Sequence, residues 1–320
     1  MKKIALLFAL SLLVPACTPS LDKTEEKIVK NFGKDVRINK TGMFFTVSPE
    51  KIFPVLPFRG NIPPVTEPKH IKAAEASYLK DDDIVIGISR GTVKKAYPVK
   101  IMRWHIIVSD KIGEEPVIIT YDPLSKHGLA YKRTVLDKVI TFKASDKIYN
   151  ANPLLTDKET KSLWSQYTGK CIMGRLAGQE LDTIPVMVAR WSDWKKSYPE
   201  TEVLSLHTGY NRDYEKNTYA TFYSNDLIPF EVDHEDKRIE SKEEIYGIAI
   251  GKSAKAYRQG DLKKGTKISE EIGGIKLTLS VDSNGIASAK RDDSGEEIVL
   301  RKSFWFSWAA FHPETGIYGM

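Results

Sequence analysis

Between residues 84 and 142 the apolar positions come in short runs broken by glycine, proline or charge. That is the pattern of strands and turns rather than of long amphipathic helices. Ile84 to Ile88, followed by Ser89-Arg90-Gly91 and a return through Ala96-Tyr97, predicts a β-hairpin. Pro98 suits a first helical turn, where its missing N–H leaves nothing unpaired. Ile101, Met102, His105 and Ile106 then share one face of a short helix. Further strands are predicted at 116–121, 129–132 and 139–142, and the polar residues around 156–160 predict a later hairpin turn. The aromatic cluster from Phe304 to Phe311 is interrupted by Ser307 and is short enough for a buried strand or helix. The expected fold class is α+β, mostly antiparallel β with short helices.

The same pattern occurs twice. Gly87-Ile88-Ser89-Arg90-Gly91 with Lys95-Ala96-Tyr97 returns, 160 residues later, as Gly247-Ile248-Ala249-Ile250-Gly251 with Lys255-Ala256-Tyr257. Ile112-Gly113 matches Ile272-Gly273, and Asp122 matches Asp282. After small gaps, Gly128-Leu129-Ala130 answers Gly285-Ile286-Ala287, and Asp157-Lys158-Glu159-Thr160 answers His312-Pro313-Glu314-Thr315. Two duplicated modules are expected, a first at 43–205 with an N-terminal extension and a second at 206–320.

Ahead of them, Lys2 and Lys3 precede an apolar run from Ile4 to Val14 and then Pro15-Ala16-Cys17. A positive start and an apolar stretch of this length read as a secretory signal over 1–17; the stretch is too short to span a bilayer. The cysteine after Val14-Pro15-Ala16 resembles the lipobox of bacterial lipoproteins, which implies acylation of Cys17. Ordinary secretion with an unmodified Cys17 is the alternative. Polar residues 18–42 read as a flexible tether. The expected location is the cell envelope, lipid-anchored outside the cytoplasm in the outer membrane.

Removing Lys2 and Lys3 from 48 basic residues leaves a net charge of +4 against 42 acidic ones, too weak and interspersed a balance to imply nucleic acid. With 41% hydrophobic and 28% charged residues the composition is that of an ordinary globular protein. Cys171 is the only cysteine beyond Cys17, so stability is expected from packing rather than disulfides.

Several segments resemble a bacterial family known as domain of unknown function 3179: Ile62-Pro63-Pro64-Val65, Ala96-Tyr97-Pro98 with Trp104-His105, Tyr149-Asn150 through Leu163-Trp164-Ser165-Gln166, Leu176-Ala177-Gly178, and Phe304-Trp305-Phe306 with Ala310-Phe311-His312-Pro313. The resemblance implies a secreted or envelope-anchored protein and lends no activity. The family's Thr-Tyr-Cys-Pro-Leu-Cys stretch stands here as Thr120-Tyr121-Asp122-Pro123-Leu124-Ser125, without either cysteine.

Gly87-Ile88-Ser89-Arg90-Gly91 fits G-x-S-x-G, but a nucleophile elbow needs a strand, a sharp turn and a helix; here a hairpin follows, and the matching residue is Ala249. No complete catalytic arrangement is visible, and no catalytic residue is named. What the first module has and the second lacks is more informative. Trp104-His105 is replaced by Lys264-Gly265 at the same offset, and the region of His127 has no histidine counterpart. His105, Asp122, Ser125 and His127 are therefore candidate ligands of a zinc- or iron-class ion, and Trp104, His105, Asn150, Trp164 and Gln166 candidate contacts for a small ligand. The structural alternative makes His105 a core histidine and Asp122 a turn residue. The partners implied are the membrane, through the lipid, and a small ligand or an envelope or host protein.

Overall fold

The computed structural model describes residues 26–55 and 62–320; Cys17 and the expected leader lie outside them. Strands hold 43% of the residues and helices 12%, so the protein is mostly antiparallel β, with several small sheets in a four-bladed, propeller-like arrangement. Among the described residues no helix is long and apolar enough to cross a membrane.

Sheet I orders Met187–Arg190, Ile84–Arg90, Val93–Pro98, Glu202–Leu204 and His70–Lys72; sheet III orders Arg301–Phe304, Glu244–Ile250, Ser253–Arg258 and Gly316–Ile317. Both are built around a hairpin flanked by one antiparallel strand on one side and one parallel strand on the other. Sheet II holds Thr183–Ile184, His127–Lys132, Glu115–Asp122 and Ile107–Ile112, and sheet IV holds Lys267–Ile272, Ile275–Val281, Ala287–Arg291 and Glu297–Ile298. The hairpin of sheet I turns at Gly91 and Thr92, so Ser89 stays in its strand opposite Lys94 and no elbow exists.

The registers repeat in side-chain detail. Met187 to Arg190 pair with Gly87 to Ile84, and Arg301 to Phe304 pair with Gly247 to Glu244. Each flanking strand runs into a short helix, Trp191–Ser197 or Trp305–Phe311. Neither helix has a side-chain cap. Instead the first N–H groups donate to loop carbonyls, Trp191 to Asp83 (2.7 Å) and Trp305 to Glu243 (2.9 Å), which satisfies donors that a helix start leaves open. Trp194 lies over Gly87 and Trp308 over Gly247; a Cβ on either glycine would sit 2.2 Å from the indole. Both indoles are buried and donate to a threonine, Trp194 to Thr201 (3.1 Å) and Trp308 to Thr315 (2.9 Å). The ion pair Lys95–Asp110 at 3.0 Å has its likeness in Lys255–Glu270 at 2.8 Å.

These contacts correct two sequence matches. Ile286 lies across its turn from Asp282 as His127 lies across from Asp122, so His127 and not Leu129 takes the place of Ile286. His312-Pro313-Glu314-Thr315 takes the place that Tyr198-Pro199-Glu200-Thr201 takes in sheet I; Asp157 belongs to another sheet. The offset falls from 160 to 114 residues because the first half carries additional strands before Met187.

Those strands form an eight-stranded sheet V, which joins Phe142–Tyr149, Asn152–Asp157, Leu163–Ser165 and Cys171–Met173 to the N-terminal segment. Phe142, Leu155, Trp164 and Cys171 of this sheet bury against Ile107, Ile118, Leu129 and Tyr131 of sheet II. Folded structure also begins earlier than the polarity of residues 18–42 predicts. Lys27–Asn31 and Lys34–Ile38 form a hairpin that turns at Phe32-Gly33 and buries Val36.

Candidate functional site

The turn between Asp122 and His127 lies against the strand Arg301–Phe304, whose Phe304 N–H donates to the Ser125 carbonyl at 2.8 Å. Asp122 organises the turn: its carboxylate accepts the Leu124 N–H at 2.8 Å and the Ser125 hydroxyl. Asp282 does the same in sheet IV, accepting the N–H groups of Asn284 and Ile286 at 2.9 Å each. The turn role is therefore common to both, as an Asx-type local bond predicts. The environments differ. Asp282 is exposed, whereas Asp122 is buried without a cationic partner, and burial pushes its carboxyl up to about 7.

Asn150 and Asn152 fasten sheet V to the same place. Asn150, in the left-handed region with φ +50°, donates to the Ala310 carbonyl (3.3 Å) and accepts the Asp233 N–H (2.7 Å). Asn152 accepts the Ser307 hydroxyl at 3.1 Å and donates to the Asn150 carbonyl at 2.6 Å. These bonds hold a turn against a helix. Trp164 is a core residue whose indole donates to Asp157 at 3.0 Å.

His105 does not join the others. Its Nδ1 lies 2.8 Å from the Pro63 carbonyl, which can only accept, so Nδ1 carries the proton. Nε2 therefore accepts the Tyr214 hydroxyl (2.7 Å), which accepts the Thr208 hydroxyl in turn (2.6 Å). Burial lowers the imidazole's pKa and keeps it neutral. With its one free lone pair taken, His105 is a satisfied core histidine among Pro63, Tyr210 and Tyr214. Trp104, next to it, has a buried indole N–H without a partner, under the Arg212 guanidinium. His70 lies 3.1 Å from Asp110 and is largely buried.

His127 is the opposite case. It is fully buried, directly across the hairpin from Asp122, and neither ring nitrogen has a hydrogen-bond partner. Its ring lies 4.6 Å from that of Tyr167, which stacks on Phe311 at 4.1 Å, meets His312 at 5.9 Å and lies under the Arg301 guanidinium at 5.8 Å. Unpartnered buried atoms accumulate on this tyrosine and its neighbours: the Tyr167 hydroxyl, Arg301 Nε and His312 Nε2, with Gln166 Oε1 on the adjacent residue and Ser303 Oγ two residues along the strand from Arg301. Gln166 is held by its other end, donating to Thr120 at 2.9 Å. Burial, and then the Arg301 charge, hold His127 well below the usual histidine range and bring His312 down to about 4. An unpaired buried polar atom costs about 1–3 kcal/mol, so such a concentration calls for water or a ligand to satisfy it.

The corresponding junction in the other half is apolar. By strand register Arg301 corresponds to Met187, Ser303 to Ala189 and His127 to Ile286, and His312 corresponds to Tyr198. Ile286 packs against Ala189, Trp191 and Trp194.

Of the residues that the sequence pattern grouped with His105, the structure brings His127, Asp122 and Ser125 together in one turn with Gln166 beside it, and places His105 among other neighbours. Sequence reasoning missed Tyr167, Arg301, Ser303 and His312. A match between Tyr198-Pro199-Glu200-Thr201 and His312-Pro313-Glu314-Thr315 was the signal that could have found three of them. Among the described residues no group of three or more His, Cys, Asp or Glu side chains is placed to hold a metal ion, so the expected zinc- or iron-class site is not formed.

The model of a family described as "Protein of unknown function (DUF3179)" matches residues 59–315. No curated protein and no solved structure matches.

Proposed function

We propose that this chain, which belongs to the DUF3179 family, is a lipid-anchored envelope protein that binds a small ligand at the junction around Tyr167. The observation that carries the reading is the concentration of unpartnered buried polar atoms on His127, Tyr167, Arg301 and His312, which meet at the tyrosine ring, and on the adjoining Gln166 and Ser303. Folded proteins leave few such atoms alone, and small-ligand sites are apolar enclosures with a few convergent polar groups. Tyr167 and Phe311 supply the aromatic wall. His312 and Arg301 are only half-buried, which leaves the cluster a route to solvent.

The junction lies between two halves that we read as copies of one unit, at about 62–205 and 206–320. The matched sheet orders, the tryptophan over each glycine and the paired threonines support this. The envelope location rests on Lys2, Lys3, the apolar run to Val14 and Cys17.

Native mass spectrometry of the protein released from membranes by mild detergent tests the binding: a small-molecule mass excess is expected in the wild type and absent in His127→Ile. No excess in the wild type, at any detergent strength that keeps the fold, overturns the binding reading. Cys17→Ala is expected to move the protein to the soluble fraction; retention in the membrane fraction overturns the anchor.

A further inference from the structure

We propose that the junction binds a small oxyanion, a carboxylate or phosphate group, with the Arg301 guanidinium as its charge partner. This rests on the ligand-binding reading above and names the chemistry of that site.

Donors dominate the junction. The Arg301 Nε–H can only donate, the Tyr167 and Ser303 hydroxyls and His312 Nε2 can donate, neutral His127 offers one donor and one acceptor nitrogen, and Gln166 Oε1 can only accept. A ligand that answers this set is rich in acceptors. Arg301 also has no ion-pair partner among the described residues, unlike the neighbouring Lys302, which pairs with Glu244 at 2.9 Å. A half-buried guanidinium without a carboxylate is a natural seat for one, because its planar fork matches carboxylate and phosphate oxygens. A metal cation is disfavoured on the same count, since Arg301 repels it.

The acceptor Gln166 Oε1 adds a constraint. It is satisfied by a ligand that also carries a hydroxyl, as hydrogen phosphate and a 2-hydroxy carboxylate both do. Position by position the other half removes this chemistry, with Met187, Ala189, Ile286 and Tyr198 in the places of the charge, the hydroxyl and the two imidazoles.

Binding an anion here reverses the local electrostatics. His127 faces Arg301, His312 and Tyr167, with Asp122 opposite it across the hairpin, and His312 faces Arg301 and Tyr167. Arg301 disfavours a second positive charge on either imidazole. An anion between them cancels that effect and favours protonation, so binding takes up protons and strengthens as pH falls.

The test uses the full-length protein in detergent, labelled with ¹³C at histidine Cε1, titrated at constant ionic strength with sodium phosphate, sodium lactate and uncharged lactamide between pH 5 and 8. Phosphate or lactate is expected to saturate the shifts of His127 and His312 and to raise their protonation midpoints by about one unit or more. Arg301→Gln should abolish saturation, and Arg301→Lys, which keeps the charge, should retain part of it. Saturation by phosphate alone assigns a phosphate group, and by lactate alone a carboxylate. Saturation by lactamide but by neither anion overturns the oxyanion while leaving a ligand site. No response to any of the three in a folded protein overturns both. An unchanged response in Arg301→Gln removes Arg301 as the partner and overturns the proposal as stated.

Discussion

Two junctions close the ring, one where the turn before Ile286 meets the helix Trp191–Ser197 and one where the turn before His127 meets the strand and helix that begin at Arg301. The frames are alike down to the tryptophan over the glycine and the aspartate that organises each turn. The contents are not. One junction is filled by an aliphatic side chain against indoles, and the other holds two imidazoles, a guanidinium and a phenol whose polar atoms lack protein partners. An apolar filling makes such a frame close well, so the polar filling is not required by the architecture. Its unpaired atoms lower the stability of the protein, which is the relation expected between a fold and a site if the ligand we propose binds there.

The comparison is broken most severely through the glycines. Gly87→Ala and Gly247→Ala each force a Cβ into a fully buried indole, and each is expected to cost about 3 kcal/mol or more, read as a fall in the urea midpoint. Costs that differ by more than about 1 kcal/mol, beyond ordinary mutational scatter, would show that the frames are not equivalent. Ile286→His carries the polar filling into the apolar junction, where no donor or acceptor awaits it. A loss of about 2–3 kcal/mol is expected from the unpaired imidazole and lost packing.

The reverse exchange, His127→Ile, should stabilise the ligand-free protein by about 1–2 kcal/mol. It should also weaken the acid sensitivity. His127 and His312 sit below their unfolded values, so the folded state binds fewer protons than the unfolded chain. Their contribution is intact above about pH 6.5, the ordinary histidine value, and is lost as pH falls toward 4. The double variant His127→Ile/His312→Tyr should flatten thermal stability across that window; a profile as steep as the wild type's would place the sensitivity elsewhere.

Asp122 bears on the turns. Its raised carboxyl pKa means that the folded state keeps a proton which the unfolded chain gives up, so its contribution falls as pH rises from about 4 through 7. Asp122→Asn should therefore gain about 1 kcal/mol at pH 8 and nothing at pH 4; a gain that does not depend on pH would refute the raised carboxyl. The smallest effect belongs to Ser89→Ala, which installs the residue already present at position 249 in the same register. A melting shift within about 0.5 kcal/mol is expected.

Local spacing carried much of the fold into view. The hairpin at 84–97, the short helix after Pro98 and the repeat at 244–257 are legible because each depends on contacts a few residues apart. The later matches were misaligned because sheet V intervenes before Met187 and changes the offset, and a constant-offset reading cannot see an insertion. The hairpin at 27–38 was hidden by its own composition, since Val36 is the only apolar residue its strands bury among many charges. The site shows the same limit. His127 stood out by its chemistry, but its neighbours Arg301, Ser303 and His312 lie far along the chain, and only the strand pairing around the ring brings them to it.

The crossed arrangement of the two junctions also bears on how the chain folds. Each half completes its closure with a residue of the other, Ile286 reaching Trp194 and Tyr167 reaching Trp308. A nascent chain that has emerged only as far as residue 205 therefore exposes an unfilled indole socket and an unstacked tyrosine. Contacts of such long sequence separation raise the contact order and slow folding, so the closing step should be late, cooperative and dependent on the last turn of the chain. Until then the first half is an aggregation hazard that needs protection.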